Sequence, residues 1–334
     1  MSKQYHLYGL GAALVDTELE VSDDFLHEAG IAKGQMTLVD EARQHQLLAL
    51  LDGQLVGSKR ASGGSAANSI IAASYFGARC FYSCKVADDD NGHFYLRDLA
   101  DAGVDSNPHG RMDSGITGKC LVMITPDAER TMNTFLGISA ALSTEELCEE
   151  ALLDSEYLYI EGYLVTSPTG RKAAVTARQL AQRNGVKTAL SLSDPGMVEF
   201  FADGLREIMG TQVDLLFCNR EEALRWTAAE SVADAARILT QDARAFAITL
   251  GADGALVYDG QSFIEIPAHP ARAIDTNGAG DMFAGAFIYA LSHGHDMASA
   301  GRLACRSAAE LVQHYGPRLP AATHAALLGD TLAG

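Results

Sequence analysis

The feature that most constrains the fold is a regular alternation of short apolar segments and helical patterns after residue 143. The clearest helical patterns run over 171–184 and 233–240. The strands predicted between helices lie at 157–160, 187–191, 213–217 and 246–250. Strands that alternate with helices through short links predict a parallel sheet covered by helices on both faces. Because ligands of such sheets bind at the carboxyl ends of the strands, residues just after each strand are the candidate site residues.

Composition narrows the classes of protein to consider. The 334 residues are 48% hydrophobic, which is enough for a large core, built as one large α/β domain or as one domain plus an appendage. The formal net charge of −18 disfavours a general nucleic-acid binder and a protein that binds anionic membranes. The sequence contains no run of 18 apolar residues and does not open with the charged-then-apolar pattern of a signal sequence, and its six cysteines do not follow a zinc-ligand pattern. We therefore expect a cytoplasmic protein with reduced cysteines.

A glycine-rich turn followed by an apolar helix is the strongest indication of chemistry. Residues 274–281 read Ile-Asp-Thr-Asn-Gly-Ala-Gly-Asp, and the run that follows is apolar nearly all round, as in a buried helix. Gly278, Ala279 and Gly280 then stand where the first amides of a helix lack internal partners and can bind an anion. A carboxylate beside such a site is suited to take a proton from a nucleophile, which is the role that we predict for Asp281. An aspartate that only caps the helix is the alternative.

Polar and glycine residues nearer the N-terminus form a second group of candidates. Asp16 follows a short predicted strand at 5–9, and a carboxylate there can accept hydrogen bonds from two neighbouring hydroxyls of a polyol. Gly63 and Gly64 precede a helix of small residues, in which Asn68 can present both a donor and an acceptor. The alternative is structural: a turn aspartate and a glycine hinge.

Two further motifs stand at the ends of predicted strands. Asn219 and Glu222 share one face at the start of a helix, and an Asn cap with a Glu that reaches back is the structural alternative. Thr249, Gly251 and Gly254 follow the next strand, where glycine lets the backbone approach a ligand closely. A β-hairpin with glycines at positive φ is the alternative there.

In combination these motifs resemble the PfkB, or ribokinase-like, family of carbohydrate and nucleoside kinases. The resemblance rests on five separated segments in the family's order, over about residues 5–320. The segments are Asp16, Gly-Gly-x-x-x-Asn at 63–68 with its continuation at 86–92, Asn-x-x-Glu at 219–222, Thr-x-Gly-x-x-Gly at 249–254 and Asp-Thr-x-Gly-Ala-Gly-Asp at 275–281. Ala87 stands where the family usually has glycine, which is a minor departure.

The resemblance implies a fold and a reaction. The fold is a single ribokinase-like α/β domain over 1–334, with a mainly parallel central sheet, helices on both faces and a small β lid from segments near 14–38 and 117–137. The reaction is transfer of the γ-phosphoryl group of MgATP to an alcohol. Asp281 is the expected base, and the amides of Gly278, Ala279 and Gly280 are expected to stabilise the developing charge.

The resemblance also implies roles for the remaining candidates. The acceptor-binding residues are Asp16, Gly63, Gly64 and Asn68. The ATP-binding residues are Asn219, Thr249, Gly251 and Gly254, with Cys305 on the C-terminal helix. Asn219 and Glu222 are expected to organise Mg²⁺ through water, and Asp275 is expected to bind a monovalent cation such as K⁺.

The acceptor is assigned from two segments. Residues 65–68 and the lid segment 129–137 look most like bacterial sequences of the adenosine-kinase-like branch, which favours a nucleoside, chiefly adenosine. Phe135 in this segment is expected to stack on a base, or else to belong to the lid core. Ribose, fructose and 2-keto-3-deoxygluconate are the alternative acceptors.

Two other classes of function stay open at this point. One is a non-catalytic nucleotide or sugar sensor on a kinase fold. The other is an NAD-dependent oxidoreductase, because residues 9–14 nearly match a dinucleotide fingerprint, although Leu14 replaces its third glycine. We expect a small-molecule substrate and neither nucleic acid nor membrane as a partner, and the sequence leaves a homodimer open.

Overall fold

The computed structural model describes residues 3–51, 60–106, 112–127 and 129–332. Within these ranges the chain forms one sheet of nine strands and one of five. The strands are β1 Tyr5–Leu10, β2 Leu14–Glu20, β3 Met36–Leu38, β4 Arg60–Gly63, β5 Cys80–Ser83, β6 Val104–Ser106, β7 Gly118–Ile124, β8 Arg130–Phe135, β9 Ser155–Glu161, β10 Lys187–Ser191, β11 Val213–Asn219, β12 Ala243–Thr249, β13 Ala255–Tyr258 and β14 Phe263–Ile266. The helices are α1 Asp23–Glu28, α2 Glu41–Leu50, α3 Ser65–Phe76, α4 Asp90–Asp101, α5 Glu149–Leu153, α6 Pro168–Arg183, α7 Pro195–Met209, α8 Arg220–Thr227, α9 Val232–Leu239, α10 Ala279–Ser292, α11 Met297–Leu311 and α12 Ala321–Leu332.

The nine-stranded sheet runs in the order β14-β13-β12-β11-β10-β9-β1-β5-β6. It is parallel from β12 to β6, and β13 and β14 add an antiparallel edge. One face packs against α3, α4, α10, α11 and α12, and the other against α5 to α9. The predicted α/β architecture is therefore confirmed, with the helices on both faces that the alternation requires.

The five-stranded sheet has the order β3-β8-β7-β2-β4. Within the segment 117–137 that is expected to form part of the lid, β7 and β8 pair antiparallel as a hairpin. One face of this sheet packs against α1 and α2 through a cluster that contains Leu19, Leu26, Leu47 and Leu121. The other face is turned to the strand ends of the large sheet, so the two sheets enclose a pocket between them.

Strand β4 is an element of this sheet that sequence patterns missed. The sequence indicates only that Gly63 and Gly64 precede a helix, yet Arg60–Gly63 pairs antiparallel with β2. A strand of small residues at a sheet edge has no alternation of apolar and polar side chains, so its sequence carries no strand signal. The pairing places Ala61 directly opposite Asp16.

Candidate active site

The pocket between the sheets holds about 690 Å³ of space, part of it open to solvent. Its walls come from β2, β3, β7 and β8 of the five-stranded sheet, and its floor from the end of β9 and the first turns of α3 and α10. Of the residues predicted for an acceptor site, Asp16, Gly64 and Asn68 line this pocket, together with Asp281. Segments far apart in the sequence thus meet at the carboxyl ends of parallel strands.

Asp281 lies in the first turn of α10 but is not its cap. The N-cap is Gly278, in the left-handed conformation with a φ of 74°, and Asp281 is the third residue of the helix. Its carboxylate accepts a hydrogen bond from Ser65 Oγ at 2.6 Å and one from Asn68 Nδ2 at 3.1 Å, both on α3. The interpretation of Asp281 as a helix cap alone is therefore wrong, because its side chain is directed to another helix at the pocket floor.

Opposing effects set the pKa of Asp281. Burial raises the pKa of this carboxyl above its ordinary value, while the hydrogen bonds from Ser65 and Asn68 and the charge of Arg130 lower it. A raised pKa makes the carboxylate a better proton acceptor than an exposed aspartate.

The glycine turn before Asp281 packs against protein at Gly278 and borders open space at Gly280. A Cβ on Gly278 would lie 2.6 Å from the carbonyl oxygen of Pro317, whereas a Cβ on Gly280 would meet no atom within 4 Å. The amide of Ala279 donates to the carbonyl oxygen of Thr276 at 3.3 Å, so one of the three amides expected to bind an anion has a partner in this conformation. Gly280 borders open space, as a ligand-binding turn requires.

Two acceptor atoms at the pocket have no hydrogen-bond partner among the described residues, namely Asp16 Oδ1 and Asn68 Oδ1. Asp16 is 6% exposed, and its carboxylate lies so close to Gly63 that a Cβ there would sit 2.0 Å from it. A Cβ on Gly64 would likewise lie 2.4 Å from the carbonyl oxygen of Ala12. Buried acceptors are normally paired, so this arrangement fits a ligand that brings hydroxyl donors.

Glu161 at the end of β9 is a site residue that the sequence analysis missed. Its carboxylate is 1% exposed and accepts hydrogen bonds from the amide of Ala12 at 2.6 Å and from that of Ala66 at 2.8 Å. Burial raises the pKa of Glu161 to about 7, although both amides favour the ionised form. The available signal was a carboxylate directly after the apolar buried run 157–160.

Arg130 on β8 is a second residue that was missed. It is the cation among the described residues that line the pocket, and its charge lowers the pKa of Asp281, Asp194 and Glu222. Arg130 therefore stands where it can offset negative charge brought by a ligand.

Phe135 is not brought to the pocket. Arg130, Met132 and Thr134 of the same strand line it, and successive side chains of a strand point to opposite faces, so Phe135 points away. The expectation that Phe135 stacks on a base in this pocket is therefore wrong, because its side chain lies on the other face of the strand.

The residues expected to bind ATP lie beside one another at neighbouring strand ends. Asn219, the last residue of β11, is the register partner of Thr249, the last residue of β12. A Cβ on Gly254 would lie 2.1 Å from the carbonyl oxygen of Ile266, and Gly251 has a φ of 62° with open space where a Cβ would be. Strands β12 and β13 pair antiparallel, so the segment is also the β-hairpin that was the structural alternative for these glycines.

Cys305, the remaining expected ATP contact, is 9% exposed on α11 and belongs to the core beneath the large sheet. Burial raises the pKa of its thiol to about 12. It does not line the described pocket, and its assignment to an adenine site stays a prediction.

The residues expected at a magnesium site form a complete capping box. Asn219 Oδ1 accepts from the amide of Glu222 at 2.8 Å, and the carboxylate of Glu222 accepts from Asn219 N at 3.0 Å and Nδ2 at 2.7 Å. Burial raises the pKa of Glu222 to about 7, and the charge of Asp194 adds to this. Across residues 3–51, 60–106, 112–127 and 129–332, no group of three His, Cys, Asp or Glu side chains could hold a metal directly. The expected role of Asn219 and Glu222 toward a hydrated Mg²⁺, held mainly by water and phosphate oxygens, stays a prediction.

Asp275, expected to bind a monovalent cation, is completely buried. Its carboxylate accepts from the amide of Asn277 at 2.8 Å and from that of Gly316 at 2.8 Å. These bonds fix the glycine turn to the segment after α11, and the cation role stays a prediction.

The fold and the site together define a class: ribokinase-like phosphotransferases that act on an alcohol group. The chain belongs to the PfkB family, since a family model described as "pfkB family carbohydrate kinase" matches residues 53–324. Kinases of this family take the phosphoryl group from ATP, generally with Mg²⁺. The predicted family and enzyme class are therefore confirmed.

Three relatives show which members of the family this chain is similar to. The solved structure of adenosine kinase from Sinorhizobium meliloti is 32% identical and covers 97% of this chain and 99% of its own, with a TM-score of 0.89. A probable sugar kinase protein from Rhizobium etli CFN 42 is 29% identical with the same coverages and a TM-score of 0.90. The adenosine kinase of Saccharomyces cerevisiae is 28% identical over 93% of this chain and 96% of its own. Among the described residues, the helices are too short or too polar to cross a membrane.

Proposed function

We propose that this protein is an ATP-dependent adenosine kinase, which transfers the γ-phosphoryl group to a hydroxyl of adenosine and gives AMP. The observation that carries the proposal is the position of Asp281, which is held by Ser65 and Asn68 at the pocket floor, beside the glycine turn. A carboxylate so held is suited to accept the proton of an attacking hydroxyl.

Each group at the site has a separate role in phosphoryl transfer. Mg²⁺, when bound, neutralises part of the phosphate charge. Asp281 removes the proton of the acceptor hydroxyl, and the turn 278–280 lies next to it to bind the negative charge that develops. Arg130 adds a positive charge from the opposite wall of the pocket. Such reactions depend mainly on positioning and electrostatics, which are the contributions proposed for these groups.

The lining of the pocket supports a nucleoside over a free sugar. Asp16 and Asn68 offer the unpartnered acceptors that ribose hydroxyls would satisfy. Met36 and Leu38 on β3 and Met132 and Leu136 near β8 add an apolar wall. A flat base would cover this wall, whereas a free pentose would leave it exposed to water. Relatives named as adenosine kinases from several organisms support the same acceptor.

A coupled ADP-release assay across acceptors tests the proposal. We expect adenosine to give the highest kcat/KM among nucleosides, ribose, fructose and 2-keto-3-deoxygluconate, with AMP as the product on chromatography. Asp281→Asn is the control for contaminating kinases. A sugar or keto-deoxy acid that exceeds adenosine tenfold would assign the chain to a sugar kinase, and absence of Mg²⁺-dependent turnover with every acceptor would favour a sensor.

Dependence on a monovalent cation is a further part of the proposal, and it rests on the family resemblance at Asp275. Replacing KCl by choline chloride at constant ionic strength should lower kcat. Equal rates in the two salts would remove Asp275 from the list of cation ligands.

A further inference from the structure

Residues 316–318, which we call the C-terminal strap, connect the glycine turn to the five-stranded sheet. The amide of Gly316 donates to Asp275 Oδ2 at 2.8 Å, and Pro317 packs directly against Gly278. Arg318 then extends to β4, where its Nη2 donates to the carbonyl oxygen of Ser62 at 2.5 Å. Three consecutive residues thus contact both the loop that carries Asp281 and a strand of the other sheet.

The guanidinium of Arg318 closes a small polar cluster. Its Nη2 also donates to Asp98 Oδ2, on α4, at 3.0 Å. The same Asp98 oxygen accepts from the amide of Ser62 at 3.1 Å and from the Ser62 hydroxyl. The Ser62 residue is completely buried, and the Arg318 side chain is 13% exposed. A cluster with so many shared bonds fixes the position of β4.

The position of β4 determines the surroundings of Asp16. Ala61 is the register partner of Asp16, and the α-carbon of Gly63 lies against the Asp16 carboxylate. Ser62 stands between these two residues, so a displacement of Ser62 would move both contacts of Asp16. A separate bond from Asn277 Nδ2 to Glu18 Oε1, at 2.9 Å, joins the turn to β2, so the distinct contribution of Arg318 is to β4.

We propose that Arg318 is a positioning residue for acceptor binding: it holds β4 against Asp16 and ties that strand to the turn that carries Asp281. The inference rests on the proposed function, because it assumes that Asp16 binds the acceptor. Arg318 does not line the pocket, so its effect on the acceptor passes through β4 and through its charge.

Electrostatics give this arrangement a measurable consequence. Burial and the charge of Glu18 raise the pKa of Asp16 well above its ordinary value, and Arg318 is the positive charge that opposes them. The ionisable groups that act on or with Asp16 from the neighbouring elements are Glu18 on β2, Tyr95 on α4, Cys120 on β7, Asp281 on α10 and Arg318 in the strap. Without the guanidinium, Asp16 would be protonated at higher pH and would lose capacity to accept hydroxyl hydrogen bonds.

The test compares Arg318→Gln and Arg318→Lys with Arg302→Gln. Arg302 is exposed on α11 and bonds only within its own helix in the described structure, to Ser299, so its variant controls for loss of an arginine charge. For Arg318→Gln we expect the KM for adenosine to rise about tenfold or more, with kcat and the KM for ATP changed much less. The adenosine KM of Arg318→Lys should lie between those of Arg318→Gln and the wild type. The adenosine KM of Arg318→Gln should also improve with rising pH more than that of the wild type.

Several outcomes would overturn the inference. One is an unchanged adenosine KM in Arg318→Gln. Another is a general defect in the same variant, in which kcat and thermal stability fall while the KM values for adenosine and for ATP rise together. If Arg318→Gln fails to fold, Asp98→Asn and Arg318→Lys decide, and wild-type adenosine KM in both variants would refute the role of Arg318. If the wild-type enzyme prefers another acceptor, the proposed function fails, while the same KM ratios measured with that acceptor still judge Arg318.

Discussion

The hydroxyl of Ser65 donates to Asp281 Oδ1 across 2.6 Å, and this bond joins the first turns of α3 and α10, which are 216 residues apart in the chain. The two helices approach closely because Gly285 on α10 has no side chain, and a Cβ there would lie 2.3 Å from the carbonyl oxygen of Ser69 on α3. The orientation of the proposed base is therefore set by the packing of two helices rather than by its own loop.

Asp281→Asn should abolish turnover without damage to the fold. Asn is nearly isosteric but cannot accept a proton at neutral pH, so kcat should fall by about 10²–10⁴-fold. Because burial raises the pKa of Asp281, the ionised side chain is costly to bury, and the Asn variant should have an equal or higher melting temperature. Steady-state kinetics, calorimetry with ATP and thermal unfolding check these expectations. Retention of more than about a tenth of wild-type kcat, against that range, would refute the role of Asp281.

Ser65→Ala should shift the pH dependence of catalysis. The hydrogen bond from Ser65 lowers the pKa of Asp281, so its loss should raise that pKa further. The acidic limb of the kcat/KM profile, where the base becomes protonated, should then move to higher pH. Ser74→Ala is the matched control, because Ser74 lies on the same helix but bonds to the carbonyl oxygen of Ala102. Superimposable profiles for Ser65→Ala and wild type would show that Asp281 is not the titrating base.

Asp16→Asn should weaken acceptor binding and stabilise the free protein. The variant keeps the shape of the side chain but replaces one acceptor oxygen by a donor, which should cost about ten- to a hundredfold in adenosine affinity. The pKa of Asp16 is raised well above its ordinary value by burial, so removal of this carboxylate should increase the melting temperature. Calorimetry with adenosine and with ATP separates the two sites. Collapse of ATP affinity with intact adenosine binding would contradict the assignment.

Met132→Ser should separate nucleosides from sugars as acceptors. Met132 belongs to the apolar wall of the pocket. Under the proposed function, a base covers this wall and a free pentose leaves it exposed. Loss of this apolar contact should lower kcat/KM for adenosine by about tenfold. Any residual activity with ribose should be unchanged. An equal loss with both acceptors would show that Met132 supports the pocket generally rather than the base.

Motifs at strand ends could be predicted from the sequence because each is local. Spacing within one turn of a helix makes two of these motifs recognisable, namely Gly278 to Asp281 and Asn219 with Glu222. The contacts of Glu161 and Arg318 could not be predicted, because their partners lie 95 and 220 or more residues away and no local period marks them. Phe135 shows a different limit: alternation along β8 divides its side chains between two faces, but the sequence does not say which face meets the pocket.

Glu161→Gln should change how the stability of the protein depends on pH. The folded-state pKa of Glu161 is about 7, above its ordinary value of 4.5, because the side chain is buried. Its contribution to folding is therefore fully present below pH 4.5 and is lost as pH rises through about 7. At about 1.4 kcal/mol per pKa unit, this loss amounts to about 3 kcal/mol. Glu222 has a pKa raised to about the same value, so the wild type should lose the contributions of both residues, and Glu161→Gln only that of Glu222.

The measurement is the free energy of unfolding in urea from pH 4.5 to 8. The difference between wild type and Glu161→Gln should change by about 3 kcal/mol across this range, whatever constant offset the altered bonds to Ala12 and Ala66 introduce. Glu156→Gln, on the same strand, controls for the removal of a carboxylate. Parallel curves for wild type and Glu161→Gln would mean that Glu161 stays ionised throughout and that its two amide donors, rather than its burial, govern its protonation.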